Sequence, residues 1–262
     1  MTRMHGRWIS VLLIAVFLAA GLMKRGIPAE RYADSVYAQG TVADVARLVS
    51  KSVVGVNNYQ MDRLAATGSG VVIFDRYILT NYHVIEGFER ISISVSGKEK
   101  ETGATVCAYD AKMDAAVLYA KRLDVKPVPL GDSDQLQMGE WAICVGNPIS
   151  EELRETVTTG IVSALDRAIV SLETTDRYGL KTAVVNKMIQ TDAAINSGNS
   201  GGGLFNVLGQ LIGIPTMKYT GDRLTGISVE GIGLAIPINS AKPLIQKAIG
   251  ERLTDENLDM NF

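Results

Sequence analysis

From Ser52 onward the chain is written in short apolar runs rich in β-branched residues, each broken by Gly, Asn, Asp or Ser. Val53 to Val56, Gly70 to Phe74, Ile91 to Val95, Ala104 to Tyr109 and Ala115 to Ala120 form one set. After Gly131-Asp132-Ser133 the style returns in Trp141 to Val145, Thr156 to Ala164, Ala183 to Ile189, Gly203 to Phe205, Gln210 to Pro215 and Gly231 to Ile236. Short strands separated by turn signals, with no long helix between them, predict an all-β chain of sandwiches or barrels. Two similar sets of about six strands predict two antiparallel barrels, each about six-stranded, over about residues 51–130 and 136–238, with a hinge near 127–138.

The ends read differently. Arg3 and Arg7 precede an apolar run from Trp8 to Met23, and Lys24-Arg25 closes it. This pattern predicts an N-terminal membrane-anchor helix within residues 1–25, with the basic end kept in the cytoplasm. Val36-Tyr37-Ala38 offers a late cleavage site, so a cleaved leader and a secreted body is the alternative. Residues 26–40 read as a polar tether. Val42, Val45, Leu48 and Val49 recur at helical spacing behind Thr41, a candidate N-cap. Ala241, Leu244, Ile245, Ala248 and Ile249 predict a packed C-terminal helix over 240–249, followed by a tail over 251–262.

Composition excludes several kinds of chemistry. The net charge is -2, and four of the 26 basic residues flank the leader, so the body is more acidic than the whole. No basic footprint for nucleic acid remains. There are only 2 histidines, His5 and His83, too few for the ligand sets common in zinc hydrolases, and no metal or other cofactor is expected. Cys107 and Cys144 both sit in apolar runs and read as buried small hydrophobes, with a disulfide as the alternative.

Against that background one stretch stands apart: Thr191-Asp192-Ala193-Ala194-Ile195-Asn196-Ser197-Gly198-Asn199-Ser200-Gly201-Gly202. A serine between glycines suits a tight turn that lifts a hydroxyl out of the fold and aims backbone N–H groups in front of it. By itself this could be a plain glycine-rich turn. A serine nucleophile also needs a base and a group to orient the base. His83 stands at the end of the strand Ile78 to Thr80, and Asp114 stands directly before Ala115 to Leu118. Each has a structural explanation alone; the order base, carboxylate, serine across two β modules is the signal. Asp110 is the near rival of Asp114 but lacks the apolar strand directly after it.

With these residues in place the chain resembles the trypsin-fold serine proteases, in particular their HtrA-type (DegP-like) branch, over about residues 41–250. The resemblance is carried by Gly68-Ser69-Gly70-Val71, Leu79 to Ile85, Asp114 to Leu118, Val145-Gly146-Asn147-Pro148, Thr191 to Gly202 and Gly231-Ile232-Gly233-Leu234-Ala235-Ile236-Pro237. It implies a chymotrypsin/trypsin-like pair of barrels and a serine endopeptidase in which Ser200 attacks, His83 moves the proton and Asp114 orients His83. It also implies an oxyanion hole from the N–H groups of Gly198 and Ser200. Ala194, Ile195 and Leu234 would wall the primary pocket, and no acidic residue is expected in the wall before Ser200. That favours cleavage after small or medium aliphatic residues.

The chain departs from the family pattern at several points. Asn199 replaces the aspartate by which digestive members pair with a new N-terminus. Ser197, Gly203 and Ala115 are small changes near the site. Such relatives usually carry one or two PDZ domains after the protease, and with about a dozen residues after the last helix none is expected here. Expected partners are a protein or peptide substrate, the membrane, and two further copies in a homotrimer built through Tyr32 and Tyr37, which are as readily solvated. The leading expectation is an extracytoplasmic protease of unfolded or exposed segments. The alternatives are a protease dedicated to one envelope protein, or a pseudoprotease that binds without cutting.

Overall fold

Alternate residues of each strand serve two different cores, and this explains the near-continuous apolar runs. The computed structural model describes residues 41–147, 155–175, 181–196, 198–218 and 231–250. The expected anchor and tether, with Tyr32 and Tyr37, as well as Ser197 and the expected tail, lie outside them. Among the described residues no helix is long and apolar enough to cross a membrane.

A helix, α1 (Val42–Val49), leads into β1 (Val53–Gln60), β2 (Arg63–Phe74), β3 (Tyr77–Thr80), a single turn α2 (Tyr82–Ile85), β4 (Arg90–Ser94), β5 (Thr102–Asp110) and β6 (Ala115–Tyr119). Then follow β7 (Trp141–Gly146), β8 (Thr156–Thr175), β9 (Lys181–Thr191), β10 (Gly203–Phe205), β11 (Leu211–Lys218), β12 (Gly233–Pro237) and α3 (Ile238–Ile249). The strands close into two antiparallel barrels, ordered β1-β2-β3-β6-β5-β4 and β7-β8-β9-β12-β11-β10. The wiring of the first is repeated in the second, as the two sets of runs predict. Closure leaves neither barrel with an unpaired edge.

Because side chains alternate across a strand, Val54, Val56, Val72, Ile78, Ile93, Ala116 and Leu118 fill the first barrel. Their neighbours Val53, Val71, Ile73, Leu79, Ala115 and Val117 face the other way. There they share a second core with Ile143, Val145, Phe205, Ile214, Leu234 and Ile236 from the other barrel, and with α1 and α3. Ala142, Cys144, Val162, Ile189, Leu204, Ile212 and Ala235 fill the second barrel. Fully burying one such aliphatic side chain stabilises by about 1.5–3 kcal/mol, so the seam between the barrels holds them as firmly as either interior.

Two local expectations change. Helix α3 begins at Ile238, earlier than its apolar pattern, because tertiary partners complete its first turn: the Asn239 N–H donates to Ser133 Oγ at 3.1 Å and Asn239 Nδ2 to Asp132 Oδ1 at 2.6 Å. The cysteines are both free, Cys144 buried and Cys107 exposed. The register of β5 against β6 slips between Val106 and Ala108, so Cys107 is the extra residue of a bulge and turns outward. The buried reading therefore holds for Cys144 and fails for Cys107.

Candidate active site

The single turn α2 sets His83 at the mouth of the seam, and the loop from β5 to β6 brings Asp114 beside it. Asp114 adopts a left-handed backbone, φ 62°, a conformation that aspartate tolerates better than most residues. Its carbonyl accepts from the Tyr82 N–H at 3.2 Å and from Asn81 Nδ2 at 2.9 Å. Its carboxylate accepts from the His83 N–H through Oδ1 at 2.9 Å, and Oδ2 lies 2.8 Å from His83 Nδ1. Thr216 Oγ1, on β11, also donates to Oδ2, at 2.5 Å. A carboxylate acceptor beside Nδ1 favours the tautomer with its proton on Nδ1 and its lone pair on Nε2. This is the tautomer a general base requires.

The second barrel supplies the serine. Gly198 and Gly201 hold φ of 99° and 81°, where side chains are strained. A Cβ on Gly201 would also strike the Ser69 carbonyl and Thr80 Oγ1. Within this turn the Asn199 N–H donates to Asn196 O at 3.0 Å, Gly201 N–H to Pro215 O at 3.1 Å and Gly202 N–H to Asn199 O at 2.9 Å. Among the described residues the Gly198 and Ser200 N–H groups have no such acceptor. The turn thus engages the amides of Asn199, Gly201 and Gly202 and not, among the described residues, those of Gly198 and Ser200. Ser200 Oγ donates to the Thr216 carbonyl at 3.3 Å, so Thr216 touches both the serine and the aspartate.

Asn199 is buried, with its amide donating to Ala194 O at 3.3 Å. Its Oδ1 packs where a Cβ on Gly146 would stand. A neutral group in this place gives a charged N-terminus nothing to pair with.

A cavity of about 90 Å³ opens beside the serine turn, lined by Asp192, Ala194, Ile195, Asn196 and Ile232, with backbone from Gly231 and Gly233. Ala194 and Ile195 stand in the wall. Leu234 does not: it is 1% exposed and packs in the seam core, because strand alternation turns it away from the face that carries Gly233 and Ala235. Asp192, not expected in the wall, is also present, with Oδ1 accepting the Ile161 N–H at 2.7 Å.

The trypsin-like peptidase domain matches residues 68–214, more than half of the chain. The chain belongs to the trypsin-like peptidases. Within that family it is 38% identical to the serine protease Do-like HtrA of Lactococcus lactis subsp. cremoris, over 84% of this chain and 62% of that protein. It is also 38% identical to a probable periplasmic serine endoprotease, DegP-like, of Chlamydia trachomatis, over 72% of this chain and 35% of that protein. The chain thus spans less than two thirds of the length of these relatives. The crystal structure of the serine endoprotease from Yersinia pestis superimposes with a TM-score of 0.62 at 33% identity, covering 80% of this chain and 66% of that one. In the present fold the candidate site draws its residues from both barrels. Thr216 is the site residue the sequence does not single out, since it stands 102 positions from the aspartate it touches.

Proposed function

We propose that this trypsin-like peptidase is a serine endopeptidase acting on unfolded or exposed protein segments outside the cytoplasm. Ser200 Oγ turns from the Thr216 carbonyl to His83 Nε2, gives up its proton there and attacks the scissile carbonyl. The N–H groups of Gly198 and Ser200 hold the resulting oxyanion, at about 3 kcal/mol per donor. His83 then protonates the departing amine, and Asp114 stabilises the imidazolium and fixes its tautomer. A water molecule, deprotonated by His83, releases the acyl group and restores Ser200.

The observation that carries this reading is the Asp114 carboxylate, which grips His83 at both its backbone and Nδ1 while Thr216 joins it to the serine turn. The small cavity beside Ile195 and Ile232 supports cleavage after small or medium aliphatic residues, the Asp192 carboxylate in its wall being tied to the Ile161 N–H. A hydrophobic pocket discriminates by only ~1–3 kcal/mol per methylene, so selectivity is loose. The apolar run over Trp8 to Met23 supports a membrane tether, and the DegP-like relative is described as periplasmic. The test is hydrolysis of unfolded casein, with labelling by a fluorophosphonate. Wild-type protein is modified at Ser200 and cuts casein; Ser200→Ala does neither and stays folded. Equal hydrolysis by the two would sink the mechanism.

A further inference from the structure

We propose that the Ser69 hydroxyl is a positioning group that locks the oxyanion loop from the opposite barrel, a role that rests on the protease reading above. Ser69 lies on β2, is fully buried and uses every polar atom it has. Its N–H donates to Ser200 O at 3.0 Å, and its carbonyl accepts from Thr80 Oγ1 at 2.7 Å. Its Oγ accepts the Asn147 N–H at 2.7 Å and donates to the Gly198 carbonyl at 2.5 Å. These last partners lie 78 and 129 positions away in the chain.

The placement matters because of where the Gly198 carbonyl stands. Along the chain it falls between the Gly198 and Ser200 amides that receive the oxyanion. The turn needs glycine there, at φ 99°, and glycine also leaves the following peptide free to rotate. A rotated carbonyl would put its negative end beside the hole and remove the preorganisation on which the rate depends. The Asn147 N–H occupies a lone pair of Ser69 Oγ and thereby sends the single hydroxyl proton toward Gly198. One hydroxyl thus ties the end of β7, the serine turn and the first barrel together, without itself meeting the substrate.

The test compares wild type, Ser69→Ala and the nearly isosteric Ser69→Cys on casein, with binding of a peptide trifluoromethyl ketone and melting temperature measured alongside. The ketone adds to Ser200 and forms an oxyanion, so it reports the hole directly. For Ser69→Ala the expected result is a kcat lower by roughly 10- to 100-fold, KM within about twofold, and ketone affinity falling in step with kcat. Ser69→Cys, a weaker hydrogen-bond donor and acceptor, falls between, and it decides the matter by itself if the alanine variant does not fold. Unchanged kcat and ketone affinity in a folded variant overturns the role of Ser69 and leaves the protease reading intact. A wild-type protein that neither cuts casein nor binds the ketone overturns both.

Discussion

Asn186 Nδ2, on the β8–β9 hairpin of the second barrel, donates to the Lys112 carbonyl at 2.6 Å. Lys112 stands two residues before Asp114, so a hairpin far from the serine turn braces the loop that carries the aspartate. Ile169 on the same hairpin and Met113 on the same loop pack against one core. Replacing Asn186 by Ala removes this bond and costs about 0.5–1.5 kcal/mol, read as a lower urea midpoint. Because the loop loosens, kcat falls several-fold while fluorophosphonate still reaches Ser200. A normal kcat in that variant would show the brace to be idle.

Asp114→Asn tests the tautomer argument. The amide can donate as well as accept, so it no longer forces the ring proton onto Nδ1. The expected loss in kcat is on the order of 10⁴-fold, with KM little changed and the fold retained. Thr216→Val is milder. It removes one hydrogen bond to a charged group, about 1.5–3 kcal/mol, and should lower kcat by roughly 10- to 100-fold. Steady-state kinetics with circular dichroism checks both.

Glu101 gives the first barrel a pH dependence. Partial burial pushes its carboxyl up, but hydrogen bonds from Ser92, Tyr59 and Asn57 outweigh this and hold it below the ordinary carboxylate value. A lowered folded value means stability that is complete above the unfolded pKa of about 4.3 and disappears as pH falls through the folded one. The melting-temperature gap between wild type and Glu101→Gln should therefore be constant from neutral pH to about 4.3 and narrow below it. A gap that widens in acid contradicts the assignment.

The two thiols should separate cleanly. Burial pushes Cys144 up to about 12, while Cys107 is exposed and raised only by partial desolvation. At pH near 8, maleimide labelling of the folded protein should modify Cys107 alone, and denaturant should release Cys144. Mass spectrometry of the labelled peptides decides this.

The two barrels were legible because each apolar run is long enough to fix a strand. The serine turn was legible because its glycines cannot be replaced where the backbone is left-handed or crowded. His83 and Asp114 could be picked out only together, by the order base, carboxylate, serine across two sets of strands. Thr216 and the Ser69 hydroxyl could not, since nothing around them differs from an ordinary strand and their partners are distant in sequence. Leu234 was misplaced because an apolar residue in a doubly buried strand gives no sign of which core it faces. The bulge at Cys107 is a one-residue slip of register, and it too leaves no local mark.

The division of the site between the barrels also has a consequence for the order in which the molecule comes into being. His83 and Asp114 belong to the half that leaves the ribosome first, and Thr216 comes 102 positions after the aspartate. The first barrel has an interior core of its own and holds His83 and Asp114 without Ser200. On the mechanism proposed above, the nucleophile joins His83 and Asp114 only when the second barrel docks along the shared seam.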